Sequence, residues 1–187
     1  DYSVATSPAI VVNGQINKLI IDGSNLVFSG DFTSVNSQTR LGMAAYNLAT
    51  NSIYSFSPNS DGPIYDFTVV GSNIYMGGAF SYIGGGLRSS FASMSLNNNL
   101  NNINLPVVGR VNSIEVIDSL LFLGGEFDSI SGLERKNLAS INLTTQQIRT
   151  WNVYTDAPIN SMKIVYPNLH LGGSFFSINT NTSRAGY

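Results

Sequence analysis

A short anchor that recurs every 47 or 48 residues, four strand-like segments between anchors, and sparse, near-balanced charge predict an all-β fold. The expected form is a β-propeller built from four-stranded antiparallel blades. The anchor reads Phe28-Ser29-Gly30-Asp31-Phe32, Met76-Gly77-Gly78-Ala79-Phe80, Leu123-Gly124-Gly125-Glu126-Phe127 and Leu171-Gly172-Gly173-Ser174-Phe175. Phe32, Phe80, Phe127 and Phe175 stand 48, 47 and 48 positions apart. A four-stranded sheet has two apolar faces and cannot bury both alone, so such units are expected to stack in series.

Each element follows from local pattern. Residues 1–15 read as the end of a preceding blade or a closing strand, with Asp1-Tyr2-Ser3-Val4 resembling the later Ile53-Tyr54-Ser55-Phe56. Residues 16–63 form the first full unit. Its first strand is the β-branched run Ile16–Ile21, and Asp22-Gly23-Ser24-Asn25 is a hairpin turn. Leu26–Phe28 is the second strand, Met43–Leu48 the third and Ser52–Ser57 the fourth, with Pro58 to Pro63 as the link. The same order recurs in residues 64–110, with a fourth strand at Ile103–Leu105, and in residues 111–158, with one at Ile148–Trp151. Residues 159–187 form a partial unit. Both ends fall inside a repeat, which points to a stretch of a longer propeller. A four-unit ring closed by residues 1–15 is the alternative.

Further columns repeat around the anchor. Val35, Ile83, Ile130 and Ile178 follow each Phe by three positions. Arg40, Arg88 and Arg135 follow by eight, and Arg184 by nine. Ala44, Ala92 and Ala139 open the alternating third strands. Gly30, Gly78, Gly125 and Gly173 end the second strands, where a missing Cβ permits a bulge, a positive φ or a close backbone approach. The following Phe is expected to pack between blades. A residue repeated in every unit serves what every unit shares, so the Arg column is read as donating to loop carbonyls or to a neighbouring blade's carboxylate. A ring of anion or glycan contacts is the competing role.

On the first strands, the fourth positions, Leu19, Phe67, Ile114 and Met162, are core. The third positions are Lys18, Asp66, Ser113 and Ser161, and the fifth are Ile20, Thr68, Glu115 and Lys163. First strands line the central channel of a propeller, so these polar columns are expected to face it.

Several chemistries are weighed against this pattern. A metal ring needs oxygen ligands from several blades, and only Asp31 and Glu126 occupy the position before the anchor Phe, so no metal or other cofactor is expected. His170, the single histidine, lies in Leu169-His170-Leu171 without an identifiable nucleophile or metal partner. Asp66 and Glu115 are the only paired-carboxylate candidates for an enzyme acting on polysaccharide, and they sit at different depths. Asn142-Leu143-Thr144 and Asn181-Thr182-Ser183 match the glycosylation sequon. Gly84-Gly85-Gly86 has no following Lys and is a loop, not a phosphate cradle. With no cysteine there is no disulfide or thiolate site. Charged residues make up 11% of the chain and nearly cancel, which leaves no basic footprint for nucleic acid. No run of about 18 apolar residues is present to cross a membrane as a helix, and no signal peptide begins at Asp1.

The pattern strand–Gly-Gly-x-Phe–loop–Arg–Ala-x-Φ-x-Leu resembles the bacterial delta-60 repeat β-propellers, most closely at Phe32-Thr33-Ser34-Val35 and Phe127-Asp128-Ser129-Ile130. A fungal cell-polarity marker family looks similar. Kelch repeats also place paired glycines after the second strand, but no Trp or Tyr column recurs here, and Trp151 is the only tryptophan. The resemblance implies a propeller in a large secreted or surface-attached bacterial protein and supplies no catalytic residues. The expected function is a non-enzymatic binding or structural module, extracellular or at the cell surface. It would serve adhesion, filament formation or partner display, with a protein, a glycan or neighbouring subunits as partner. A lectin-like propeller that uses Trp151 is the alternative, and a polysaccharide-acting enzyme ranks after both.

Overall fold

The structure, a computed structural model, describes residues 10–151 and 153–180. Among these residues every regular element is a β-strand, and all strand pairs are antiparallel. The first repeat contributes β1 (Gln15–Asp22), β2 (Asn25–Asp31), β3 (Ser34–Val35), β4 (Gln38–Thr39), β5 (Met43–Asn47) and β6 (Ser52–Ile53). The second contributes β7 (Ile64–Val70), β8 (Asn73–Gly78), β9 (Tyr82–Ile83), β10 (Gly86–Leu87) and β11 (Phe91–Ser95). The third contributes β12 (Val107–Ile117), β13 (Leu120–Ile130), β14 (Leu133–Glu134), β15 (Leu138–Asn142), β16 (Gln147–Ile148) and β17 (Val153–Thr155). The fourth contributes β18 (Ile159–Val165), β19 (Asn168–Gly173) and β20 (Ile178–Thr180).

Sheet orders are β1-β2-β5-β6, then β7-β8-β11, then β12-β13-β15-β16 with β14 on β13, then β18-β19. The strand period of two explains how each sheet serves two cores. On β2, Val27 joins Phe67, Met76 and Phe80 of the next repeat, whereas Phe28 joins Phe32, Val35, Ala44 and Tyr46 on the opposite face. The second junction repeats this arrangement: Tyr75 and Phe91 meet Ile114, Leu123 and Phe127. At the third, Leu138 meets Ile159 and Met162. Successive first strands β1, β7, β12 and β18 lie beside one another.

The paired glycines have two separate causes. Every first strand carries a bulge at its second position: Asn17, Tyr65, Asn112 and Asn160 are skipped in the register. The bulge pushes the preceding carbonyl toward the second strand. A Cβ on Gly30, Gly78, Gly125 or Gly173 would collide with the carbonyl oxygen of Gln15, Pro63, Arg110 or Pro158. The preceding glycine instead admits the next sheet. A Cβ on Gly77 would strike Val111 and one on Gly124 would lie 2.8 Å from Met162 Sδ. None of these glycines has a positive φ, so of the three expected causes it is the bulge and the close approach that operate.

Three sequence expectations need correction. Leu19, assigned to the core, is 56% exposed, whereas its counterparts Phe67, Ile114 and Met162 are buried. Phe67, Ile114 and Met162 each pack against residues of the repeat before their own, and among the described residues no sheet covers Leu19 in that way. The fourth strands are shorter than Ser52–Ser57, Ile103–Leu105 and Ile148–Trp151: only Ser52–Ile53 and Gln147–Ile148 pair as strands, and the second repeat has an isolated Met94–Leu100 bridge instead. The reason is the Arg column, described below. Finally, β12 runs without a break through the boundary placed between residues 110 and 111. The strand assigned to residues 1–4 lies outside the described residues.

Candidate functional site

The Arg column is part of the fold. Arg40 donates through Nη1 to its neighbour Thr39 O and through Nη2 to Tyr54 O at 2.6 Å. Arg88 does the same to Leu87 O and Asn101 O, and Arg135 to Glu134 O and Arg149 O. Tyr54, Asn101 and Arg149 each give their own N–H to the third strand. The guanidinium therefore takes the carbonyl of the last residue that pairs, and the outer strand ends there. A planar fork of donors can serve two carbonyls at once, which an ammonium group cannot match in geometry. Among the described residues none of the three meets a neighbouring carboxylate. Arg184 lies outside the described residues. Phe32, Phe80 and Phe127 are buried, each in a different core cluster, and Phe175 packs partly buried against the fourth.

The polar columns of the first strands reach adjacent repeats. They tie one unit to the next. Lys18 forms an ion pair with Asp66. The other oxygen of Asp66 accepts from Ile114 N of the third repeat at 2.7 Å. Ser113, in the same column, accepts from Met162 N of the fourth at 3.0 Å. Asn112 donates to Ile159 O. In the fifth column Lys163 donates to Glu115 at 3.1 Å, again across a junction. Asp66 and Glu115 are thus each engaged by a lysine of an adjacent repeat, and they do not face one another as an acid–base pair.

Asn13, Asp61 and Asp156 form a further column. Asn13 Oδ1 accepts from Thr33 N and Ser34 N, Asp61 Oδ1 from Ser81 N and Tyr82 N, and Asp156 Oδ1 from Phe176 N and Ser177 N. They stand three residues before Ile16, Ile64 and Ile159 of the first strands, and each holds the loop after the anchor Phe. The signal was the alignment of Asn13, Asp61 and Asp156. The third repeat places Val108 there, and its β12–β13 ladder instead continues out to Val107 and Ile130. The backbone donors Tyr82 N–H and Ser81 N–H hold the Asp61 carboxyl below its ordinary 3.8, and Ser177 and Phe176 do the same for Asp156. A depressed folded value means that the ionised form favours folding. That contribution is complete above the unfolded pKa of about 3.9 and is lost as the pH falls through the folded value. Urea unfolding at pH 5 and at pH 3 is expected to show a steeper loss of stability for the native chain than for Asp61→Asn. The Asn retains the acceptor, as Asn13 does, but does not titrate.

The remaining candidates are dispersed. His170 is exposed on β19, opposite Lys163. Asp31 is exposed, and Glu126 pairs with Arg110 at 2.6 Å. Among the described residues no group of three His, Asp or Glu side chains could hold a metal ion. No helix there is long and apolar enough to cross a membrane. Asn142 of the first sequon accepts from Thr144 N and Thr145 N in a turn, and Asn181 lies outside the described residues. Gly84 and Gly85 adopt positive φ of 61° and 81° in the turn between β9 and β10.

Two clefts open at the junction of the third and fourth repeats. One, of about 580 Å³, is polar and includes Arg110, Glu126, Asp128, Lys136 and Asp156. The other, of about 420 Å³, is apolar and is lined by Phe122, Leu138, Trp151, Leu169, Leu171 and Ile178. Trp151 is 40% exposed and meets Phe122 edge to face at 6.1 Å. No protein-family model matches the chain, and no curated protein matches it.

Proposed function

We propose that this chain is a non-enzymatic binding and structural module: blades of a β-propeller of the delta-60 repeat kind, in a secreted or cell-surface bacterial protein. The observation that carries this reading is the use of the repeated polar side chains. The arginines end the outer strands, and the first-strand columns join unit to unit. Their contacts give these residues a structural role. Exposed loops join the strands, and a partner or a neighbouring subunit would be met there. The serial sheets with adjacent first strands support the blade assignment, because stacking of this kind is how a propeller surrounds its axis.

The test is a screen of glycans, proteins and whole bacterial cells, combined with measurement of self-assembly. Saturable binding or defined assembly, unchanged in Asp31→Asn and without polysaccharide turnover, is expected. Turnover of a polysaccharide that disappears in Glu115→Gln would overturn the proposal. Strong glycan hits abolished by Trp151→Ala would favour the lectin-like alternative, for which the partly exposed indole is the supporting feature.

A further inference from the structure

The polar cleft is where the third repeat departs from the others. Glu126 stands where Asp31 and Ala79 stand, Asp128 replaces Thr33 and Ser81, and Lys136 replaces Leu41 and Ser89. Arg110 replaces Gln15, Pro63 and Pro158. The chain has 9 Lys and Arg and 11 Asp and Glu, and five of these line this one cleft. The backbone is adapted as well. The β12–β13 ladder shifts register between Val108 and Gly109. Gly109 has φ +125°, and a Cβ there would lie 2.6 Å from Phe127 Cα. The extended hairpin sets Arg110 opposite Glu126, with Asp128 two residues further along the same strand. The facing wall is Asp156-Ala157-Pro158 of the fourth repeat, so both sides of the cleft are in place.

The seam between the two repeats is closed without Lys136 and Asp128. At the second junction Ser89 Oγ donates to Val107 O and Ser90 Oγ to Gly109 O. At the third, the corresponding carbonyls accept from Asn137 Nδ2 at 3.0 Å and from Thr155 Oγ1 at 2.7 Å. Asp156 is saturated, since Oδ1 accepts from Phe176 N and Ser177 N and Oδ2 from Ser177 Oγ. Arg110 and Glu126 pair through Nη2 and Oε2, which leaves a second carboxylate oxygen and further guanidinium donors. Lys136 and Asp128 are exposed, and among the described residues neither forms an ion pair.

We propose that this cleft binds a neutral saccharide through Asp128, Lys136 and the free edges of the Arg110–Glu126 pair. A hydroxyl group both donates and accepts, so neighbouring sugar hydroxyls can accept from Lys136 and Arg110 while donating to Asp128 and Glu126. An anion would meet three carboxylates in the same cleft, and a cation would meet Lys136 and Arg110. Val108, 61% exposed, and Pro158 offer C–H surface to the apolar face of a sugar ring. The volume of about 580 Å³ is that of a small-ligand cleft, which spans about 300–1,000 Å³. The inference rests on the reading of the chain as a non-enzymatic binding module and names its ligand class. It differs from the lectin-like alternative, which places the sugar on Trp151 in the apolar cleft.

The probes are neutral trisaccharides of glucose, galactose, mannose and N-acetylglucosamine, titrated into the 187-residue chain and followed by calorimetry and saturation-transfer NMR. Saturable binding of at least one of them, at one per chain and undiminished by excess inorganic phosphate, is expected. Asp128→Asn and Lys136→Met are each expected to weaken it at least tenfold with an unchanged urea midpoint, since both side chains are exposed and outside the seam. Absence of saturable binding by all four probes, competition by phosphate, or full binding by the Asp128→Asn and Lys136→Met chains overturns the proposal. Binding lost in Trp151→Ala but kept in Lys136→Met also overturns it, by moving the sugar to the apolar cleft. Hydrolysis of a bound trisaccharide would overturn the non-enzymatic reading on which the inference rests, whereas a chain that binds a protein partner and no saccharide overturns this inference alone.

Discussion

Gly125→Ala is expected to remove about 4 kcal/mol or more of stability, enough to unfold a marginal domain. The added methyl group has no free direction. It would collide with the carbonyl oxygen of Arg110 and lie 3.0 Å from Val111 Cα, both main-chain atoms of the paired strand. A flexible side chain could move aside, but a bulged ladder cannot without losing its register. The φ of Gly125 is not left-handed, so the cost is steric and not conformational. Gly23→Ala is the control. Gly23 has φ +58° and open space around it, so Ala there costs about 1 kcal/mol through backbone strain alone. Urea denaturation of the two variants separates the causes. If Gly125→Ala loses no more stability than Gly23→Ala, the account of the paired glycines is wrong.

The second large effect is expected at Asp66. Its side chain is 12% exposed, holds Lys18 in an ion pair and receives Phe67 N and Ile114 N. Asp66→Ala leaves the buried Ile114 N–H without an acceptor and Lys18 without its partner, a loss of about 3 kcal/mol. Asp66→Asn still offers an oxygen to Ile114 N and is expected to lose about half as much. Lys18→Met removes a charge that is itself 31% exposed while retaining the stem, and Lys18 Nζ lies 5.5 Å from the Phe67 ring centroid. Its cost is smaller than that of Asp66→Ala, because no buried donor is orphaned, although the carboxylate loses its counter-charge. Chemical denaturation of the three variants ranks them. If Asp66→Ala is no worse than Lys18→Met, the hydrogen bond across the junction is not what matters at this residue.

Much of the fold was legible in the chain because strand pairing is local here. The hairpins β1-β2, β7-β8 and β12-β13 follow from β-branched runs around short turns at Gly23, Gly71 and Asp118, each with positive φ. The third strands followed from the Ala-led alternation, which β5, β11 and β15 reproduce nearly residue for residue. The fourth strands did not, because their length is set by a guanidinium that arrives from a loop 13 or 14 residues earlier in the chain. No local propensity encodes that. The role of Asn13, Asp61 and Asp156 was missed for a similar reason: their hydrogen-bond partners lie 20 and 21 residues away.

By itself the amino-acid order determined an all-β chain of repeating units and named the columns every unit shares. Period and alternation are one-dimensional properties, and burial of alternate side chains converts them directly into sheets. Only the tertiary structure decided what those columns do. In the sequence Lys18, Asp66, Ser113 and Glu115 are only variable polar residues of the first strands; in the structure each reaches across to an adjacent repeat. The direction of a side chain from its own strand can be read from parity. Whether it meets water or a neighbouring backbone depends on the distance between sheets, and that distance is set by glycines such as Gly77 and Gly124, whose missing Cβ atoms let the next sheet approach.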